Sequence, residues 1–289
     1  MKKLLLAILA AGLVGCVTTD DKKAVKPVKT KVTKTRNLID CENPKAWDTK
    51  AKLNTKIKRS GKYSFETFGK YPTRTNFVRF IQIDPEKTYT LTCYMRSLDA
   101  KKPASAYMGL YMYDKNKKLI SIMHVKNFAG AESELVVPAV KGAKQIIIKK
   151  NPKCLKIKNW RIAFNAKAKY EDMPNSDLSP RGKNIKTSGN NIKLTLRAPL
   201  EKAYKAGTKI RLHSTWGAPF YWAAKGWMPG DWKKFSVTLK GIAQNGTPNN
   251  KFWKGTKYVK PFIWFGNWNR IPKPGAKLLV DDFTFTESE

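Results

Sequence analysis

Apolar side chains recur at every second position along most of this chain, and that period commits it to strands buried on one face. Phe77, Arg79, Ile81 and Ile83 alternate with Val78, Phe80 and Gln82, while Tyr89, Leu91, Cys93 and Met95 alternate with Thr90, Thr92, Tyr94 and Arg96. Asp84-Pro85-Glu86-Lys87 reads as the turn between them, making the two strands neighbours. Tyr107 to Tyr113 follows, then a turn at Asp114-Lys115-Asn116-Lys117 and a strand from Leu119 to Val125. Late in the chain Phe235, Val237 and Leu239 repeat the pattern, and Leu279, Asp281, Phe283 and Phe285 close it. Only Leu200 to Lys205 reads as helix. Many short strands separated by turn residues predict an all-β antiparallel sandwich of jelly-roll type.

The charge must be accommodated by that fold. Lys and Arg number 57 against 21 Asp and Glu, a net +36, yet the chain is 42% hydrophobic and carries nine Trp, eleven Tyr and thirteen Phe. Disordered basic chains lack such residues. A folded domain with this excess calls for a polyanionic neighbour: nucleic acid, acidic lipid or acidic polysaccharide.

The first residues narrow the choice. Met1 to Gly15 join two lysines to an apolar run shorter than the roughly 20 residues a bilayer core needs, which predicts a cleaved signal peptide over 1–15. Leu13-Val14-Gly15-Cys16 resembles the lipobox of bacterial lipoproteins, which implies acylation (palmitate among the chains) of Cys16 as the new N-terminus. Val17 after it resembles lipoproteins carried to the outer membrane of a Gram-negative envelope. Residues 16–36 are rich in Lys, Thr and Val without an aromatic, and read as a basic disordered tether. Nucleic acid is then not an expected partner. Cys41, Cys93 and Cys154 remain, enough for one disulfide at most, and no CxxC is present.

Between Glu134 and Ala168 lie Leu135-Val136-Val137, Ile146-Ile147-Ile148 and Trp160-Arg161-Ile162-Ala163-Phe164, linked by lysine-rich turns, and Tyr170 to Gly189 is polar. Two organisations fit. One is a boundary near 171 between two small sandwiches; the other is a β-rich insertion, about 130–190, within one jelly roll over 37–289.

Asn37-Leu38-Ile39 with Glu42 and Trp47, Ser60-Gly61-Lys62-Tyr63-Ser64, and Asp84 to Leu91 resemble the opening of carbohydrate-binding modules of the galactose-binding-like jelly-roll superfamily. Leu279-Val280-Asp281-Asp282-Phe283 resembles their last strand. The resemblance implies one domain, glycan binding, and a structural calcium joining the first strand to the last, with Glu42, Asp281 and Asp282 as candidate ligands. Cys41 departs from the pattern, which has an aromatic before the glutamate. Alternation puts Asp281 on the same face as Leu279, Phe283 and Phe285, where its carboxylate needs a cation or a hydrogen-bonding partner.

Sugars stack their C–H faces on aromatic rings, and three places offer rings. Trp216, Phe220, Tyr221, Trp222, Trp227 and Trp232 crowd one glycine- and proline-rich stretch, and Trp264 and Trp268 form a second group. Tyr107, Tyr111 and Tyr113 share the side of their strand opposite Met108, Leu110 and Met112; together with Arg96 and His124 such a face suits an acidic or sulfated glycan. Arg211, His213 and Tyr221 are the set that would mimic a polysaccharide lyase, and His213 is also a candidate ligand contact. No HExxH, GxSxG or phosphate loop is present, and no carboxylate pair stands out for glycoside hydrolysis. The favoured reading is non-catalytic binding of an anionic polysaccharide by a lipid-anchored envelope protein. A lyase or hydrolase and a structural envelope lipoprotein without a glycan ligand are the alternatives.

Overall fold

The computed structural model describes residues 34–39, 41–48, 52–67, 73–215, 217, 221–266 and 272–289. The predicted signal segment, Cys16 and most of the tether lie outside the described residues, as do Trp216, Phe220 and Trp268. Among the described residues the period-two segments form four antiparallel sheets, and the chain is all-β apart from short turns of helix.

Two of the sheets make the larger sandwich. A six-stranded sheet runs in the order Lys233–Lys240, Thr88–Ser97, Leu278–Ser288, Ser64–Thr67 and Lys52–Asn54, with Thr35–Asn37 also paired to Leu278–Ser288. A five-stranded sheet runs Tyr221–Trp227, Ser105–Tyr113, Tyr258–Phe265 and Thr73–Asn76, with Ile81–Gln82 also on Tyr258–Phe265. Leu91, Cys93, Met95, Phe283 and Phe285 from the first meet Met108, Leu110, Met112 and Ile263 from the second in one core. The methionine side of Ser105–Tyr113 is therefore the core side.

The smaller sandwich packs Trp160–Phe164, Lys209–Ser214 and Asn127–Glu134 against Gly182–Ser188, Asn191–Leu196 and Gln145–Lys149. Its core, which includes Ile148, Ile162, Phe164, Ile192, Leu194, Ile210 and Leu212, is drawn from Ala131 to Leu212, and residues of the larger core lie on both sides of it in sequence. It runs past residue 190 because the polar stretch after Tyr170 is structural: Met173, Asn175 and Ser179 are buried, and Gly182–Ser188 is a strand. Both sandwiches belong to one compact unit. Ile122–Val125 sits at their junction, where Met123 O accepts from the His213 ring (2.8 Å), His124 O from Asn175 N–H (2.9 Å) and Lys126 O from Ser214 N–H (2.8 Å).

Five local expectations are corrected. Ile81–Gln82 and Thr88–Ser97 are consecutive but belong to different sheets, since alternation specifies a face and not a partner. The end of the tether is ordered: Thr35–Asn37 pairs with the last strand, and Arg36 reaches Glu287 at 3.3 Å. Ile122–Val125 is one helical turn rather than strand. Leu200–Lys205 is not helix; Tyr204 bridges to Ala139.

The fifth concerns the closing strand. Asp281 is in register with Tyr94 but Thr284 with Thr92, so one extra residue bulges out, and Asp282 takes a left-handed φ of 46°. The bulge reverses the phase of alternation. Leu278, Val280, Phe283 and Phe285 face the core, whereas Leu279 and Asp281 pair with Arg96 and Tyr94 on the outer side.

Candidate functional site

The five-stranded sheet has an aromatic outer side, built by register. Tyr113 is opposite Tyr258, Tyr111 opposite Lys260, Gly109 opposite Phe262 and Tyr107 opposite Trp264. Gly109 puts no side chain between Tyr107 and Tyr111, which leaves that place to the Phe262 ring, 4.8 Å from Tyr111. Tyr107 and Trp264 lie 6.3 Å apart at 52°. Tyr107, Tyr111, Phe262 and Trp264 form a separate small cluster, each no more than 8% exposed. They are a floor, not an open platform.

The accessible rings lie along its rim. Half-buried Phe80 packs edge-on against Tyr113 (4.9 Å) and Tyr258 (6.1 Å). Above it stand Lys260 at 4.1 Å and Lys117 at 5.3 Å, and Arg74 lies over the Trp264 ring at 4.6 Å. The turn after Tyr113 places Lys117: Asp114 accepts the N–H groups of Asn116 and Lys118, and Lys117 adopts a φ of 58°. Among the described residues no carboxylate pairs with Arg74, Lys117 or Lys260. The Arg74 charge also acts on the Tyr111 hydroxyl, against the effect of burial. Burial pushes the Tyr111 and Tyr113 phenols up, so both stay neutral hydroxyls.

Of the residues expected from sequence, Tyr107, Tyr111 and Trp264 come together here. Trp216 and Trp268 lie outside the described residues; Tyr221 and Trp222 are in register with Leu110 and Gly109 on the neighbouring strand. Trp227 ends that strand 48% exposed. Arg96 does not join the tyrosines: it is on the six-stranded sheet, its guanidinium 5.9 Å from the Trp232 ring. His213 is fully buried in the smaller sandwich and hydrogen-bonded to Met123 O, and Arg211 beside it is tied to Asp172 at 3.2 and 3.3 Å, so its charge is already neutralised. Sequence reasoning missed Phe80, Tyr258, Lys260, Lys117 and Arg74. The alternation of Tyr258, Lys260, Phe262 and Trp264 was the available signal.

Glu42, Asp281 and Asp282 do converge, on the loop Arg59–Lys62. Asp281 accepts N–H from Arg59 (2.6 Å), Ser60 (3.4 Å) and Asp282 (2.7 Å), Asp282 takes the Arg59 guanidinium and the Ser60 hydroxyl, and Glu42 accepts Lys62 N–H at 3.0 Å. Gly61 has a φ of 61°, and its bare Cα lies against the Glu42 carboxylate, where a Cβ would collide. Burial pushes the Asp281 carboxyl up, against the pull of its N–H donors. Each of the three carboxylates thus already accepts hydrogen bonds from the protein, and among the described residues no group of three or more His, Cys, Asp and Glu side chains is placed to hold a metal. Cys41, Cys93 and Cys154 are free thiols, with Cys41 and Cys154 each pushed up to about 11, mainly by burial.

No protein-family model matches this chain, and no curated protein matches it.

Proposed function

We propose that this chain is a non-catalytic, envelope-anchored module that binds an anionic polysaccharide on the outer side of its five-stranded sheet. One observation carries the reading: Arg74, Lys117 and Lys260 stand over aromatic rings, and among the described residues no carboxylate pairs with them. Rings stack on sugar C–H faces, and unpaired cations beside them attract sulfate or uronate groups. The lipobox-like Cys16 supports an anchor, and the net +36 supports an anionic partner. Catalysis is the weaker reading, because Arg211 is committed to Asp172 and the His213 ring is sealed from solvent. Binding to an array of neutral, uronate-bearing and sulfated glycans tests the proposal. Retention of the acidic glycans alone is expected, and silence on every glycan would contradict it.

A further inference from the structure

The strands Asn127–Glu134 and Lys209–Ser214 have two unlike ends. At one, Ser214 N–H donates to Lys126 O at the junction with the larger sandwich; at the other, Glu134 and Lys209 are in register. From that far end residues 135–144 and 197–208 cross between the two sheets of the smaller sandwich, side by side. Ala139 and Tyr204 exchange backbone hydrogen bonds (2.9 and 2.8 Å), Gly142 N–H donates to Leu200 O (2.8 Å) and Leu200 N–H to Ala143 O (2.9 Å). The surface they make is apolar at its tips. Val137 is 48% exposed and Val140 61%, the most exposed large apolar side chain among the described residues.

Charge surrounds those tips. The two segments hold five bases and one acid, Glu201. Lys202 reaches Asp177 at 3.4 Å, whereas among the described residues no carboxylate pairs with Lys141, Lys144, Arg197 or Lys205. Exposed valines among unpaired lysines suit the boundary of an anionic bilayer, where the apolar tip enters the headgroup layer and flexible basic side chains reach the phosphates. Other partners fit less well. A sugar needs a ring to stack on, and Tyr204, the one aromatic residue of the two segments, is already stacked on Phe164 at 3.6 Å with its hydroxyl donated to Asp177 at 2.8 Å. Protein interfaces centre on aromatic and Arg anchors and are poor in Lys, the reverse of this composition.

We propose that this end of the smaller sandwich docks on an anionic phospholipid surface, with Val137 and Val140 entering the headgroup layer and Lys141, Lys144, Arg197 and Lys205 meeting the phosphates. Of the proposed function it uses only the lipid anchor, which holds the domain beside a bilayer and raises its effective concentration there. The aromatic face and its ligand play no part.

A fluorophore at the proposed contact tests it. The full chain carries Cys16→Ser, so that the result does not depend on acylation, and Val140→Cys labelled with a polarity-sensitive dye; the Cys16→Ser chain treated alike gives the background from half-buried Cys41. Vesicles of phosphatidylglycerol and phosphatidylcholine at low salt are expected to shift the emission to the blue, and phosphatidylcholine alone to leave it unchanged. The same dye at Val78→Cys, an exposed site beside Phe77 of the larger core, is expected to stay unchanged in both. Lys141→Glu/Lys205→Glu, both exposed, should raise the lipid concentration needed at least about ten-fold. No shift at residue 140 with anionic vesicles, an equal shift at residue 78, or an unchanged lipid requirement in the double variant would overturn the proposal. A shift with heparin and none with vesicles would overturn it in favour of a polysaccharide, and one that follows protein concentration without lipid in favour of a second copy of the chain.

Discussion

The guanidinium of Arg74 lies over the indole of Trp264, 4.6 Å from its centre, and links the buried aromatic floor to the charged rim. The two residues carry different burdens. Trp264 is 7% exposed, so Trp264→Ala is expected to cost about 3–5 kcal/mol of stability. Arg74 is exposed, and Arg74→Ala is expected to cost under about 1 kcal/mol while weakening an anionic ligand. A double-mutant cycle in urea measures their coupling, expected at about 0.5–1 kcal/mol; zero coupling would show that the stacking does not hold in solution.

Asp281 is served by three backbone N–H groups, which only an acceptor can satisfy. Asp281→Asn turns an amide NH₂ toward some of them and is expected to lower the melting temperature by several degrees, a loss of about 1–3 kcal/mol. Calcium and chelator are expected to leave the wild-type melting curve unchanged. A calcium-dependent rise that Asp281→Asn abolishes would mean that the loop rearranges around a cation.

His213 makes acid stability testable. Burial, with Arg211 adding to it, holds its ring down to about 4, from an ordinary 6.5. The unfolded chain therefore binds the proton more readily, so the contribution is intact above about pH 6.5 and is lost as pH falls toward 4, on the order of 3 kcal/mol. His124, also held down, acts in the same direction. Melting temperature against pH should slope down through that window, and the slope should flatten in His213→Gln. An unchanged slope in the variant would remove His213 as its source.

Alternation made some of this legible and hid the rest. The period in Ser105–Tyr113 is enough to separate the methionine side from the tyrosine side, and with it the aromatic floor. It says nothing of which strand pairs with which, so Arg96 falls on the wrong sheet when it is grouped with Tyr107 by chemistry alone. The bulge at Asp282 is invisible for a related reason: one inserted residue shifts the phase without changing composition, and Asp281 passes from the core side to the outer side. Lys117 is brought over Phe80 by a left-handed turn residue, a placement that no strand pattern encodes.

The anchor has its own test. Expression in a Gram-negative host with labelled palmitate is expected to label the wild type and leave Cys16→Ser unlabelled and unprocessed. Label that persists in Cys16→Ser would contradict acylation at that residue.

The most direct measurement is the affinity for a sulfated polysaccharide such as heparin at low and physiological salt, beside neutral dextran and the double variant Lys117→Glu/Lys260→Glu. Because rim charges carry the attraction, binding to heparin should weaken markedly as salt rises, fall at least about ten-fold in the double variant with its melting temperature preserved, and be missing for dextran. Heparin affinity that is indifferent to salt and to both charge reversals would contradict an anionic glycan site on this face.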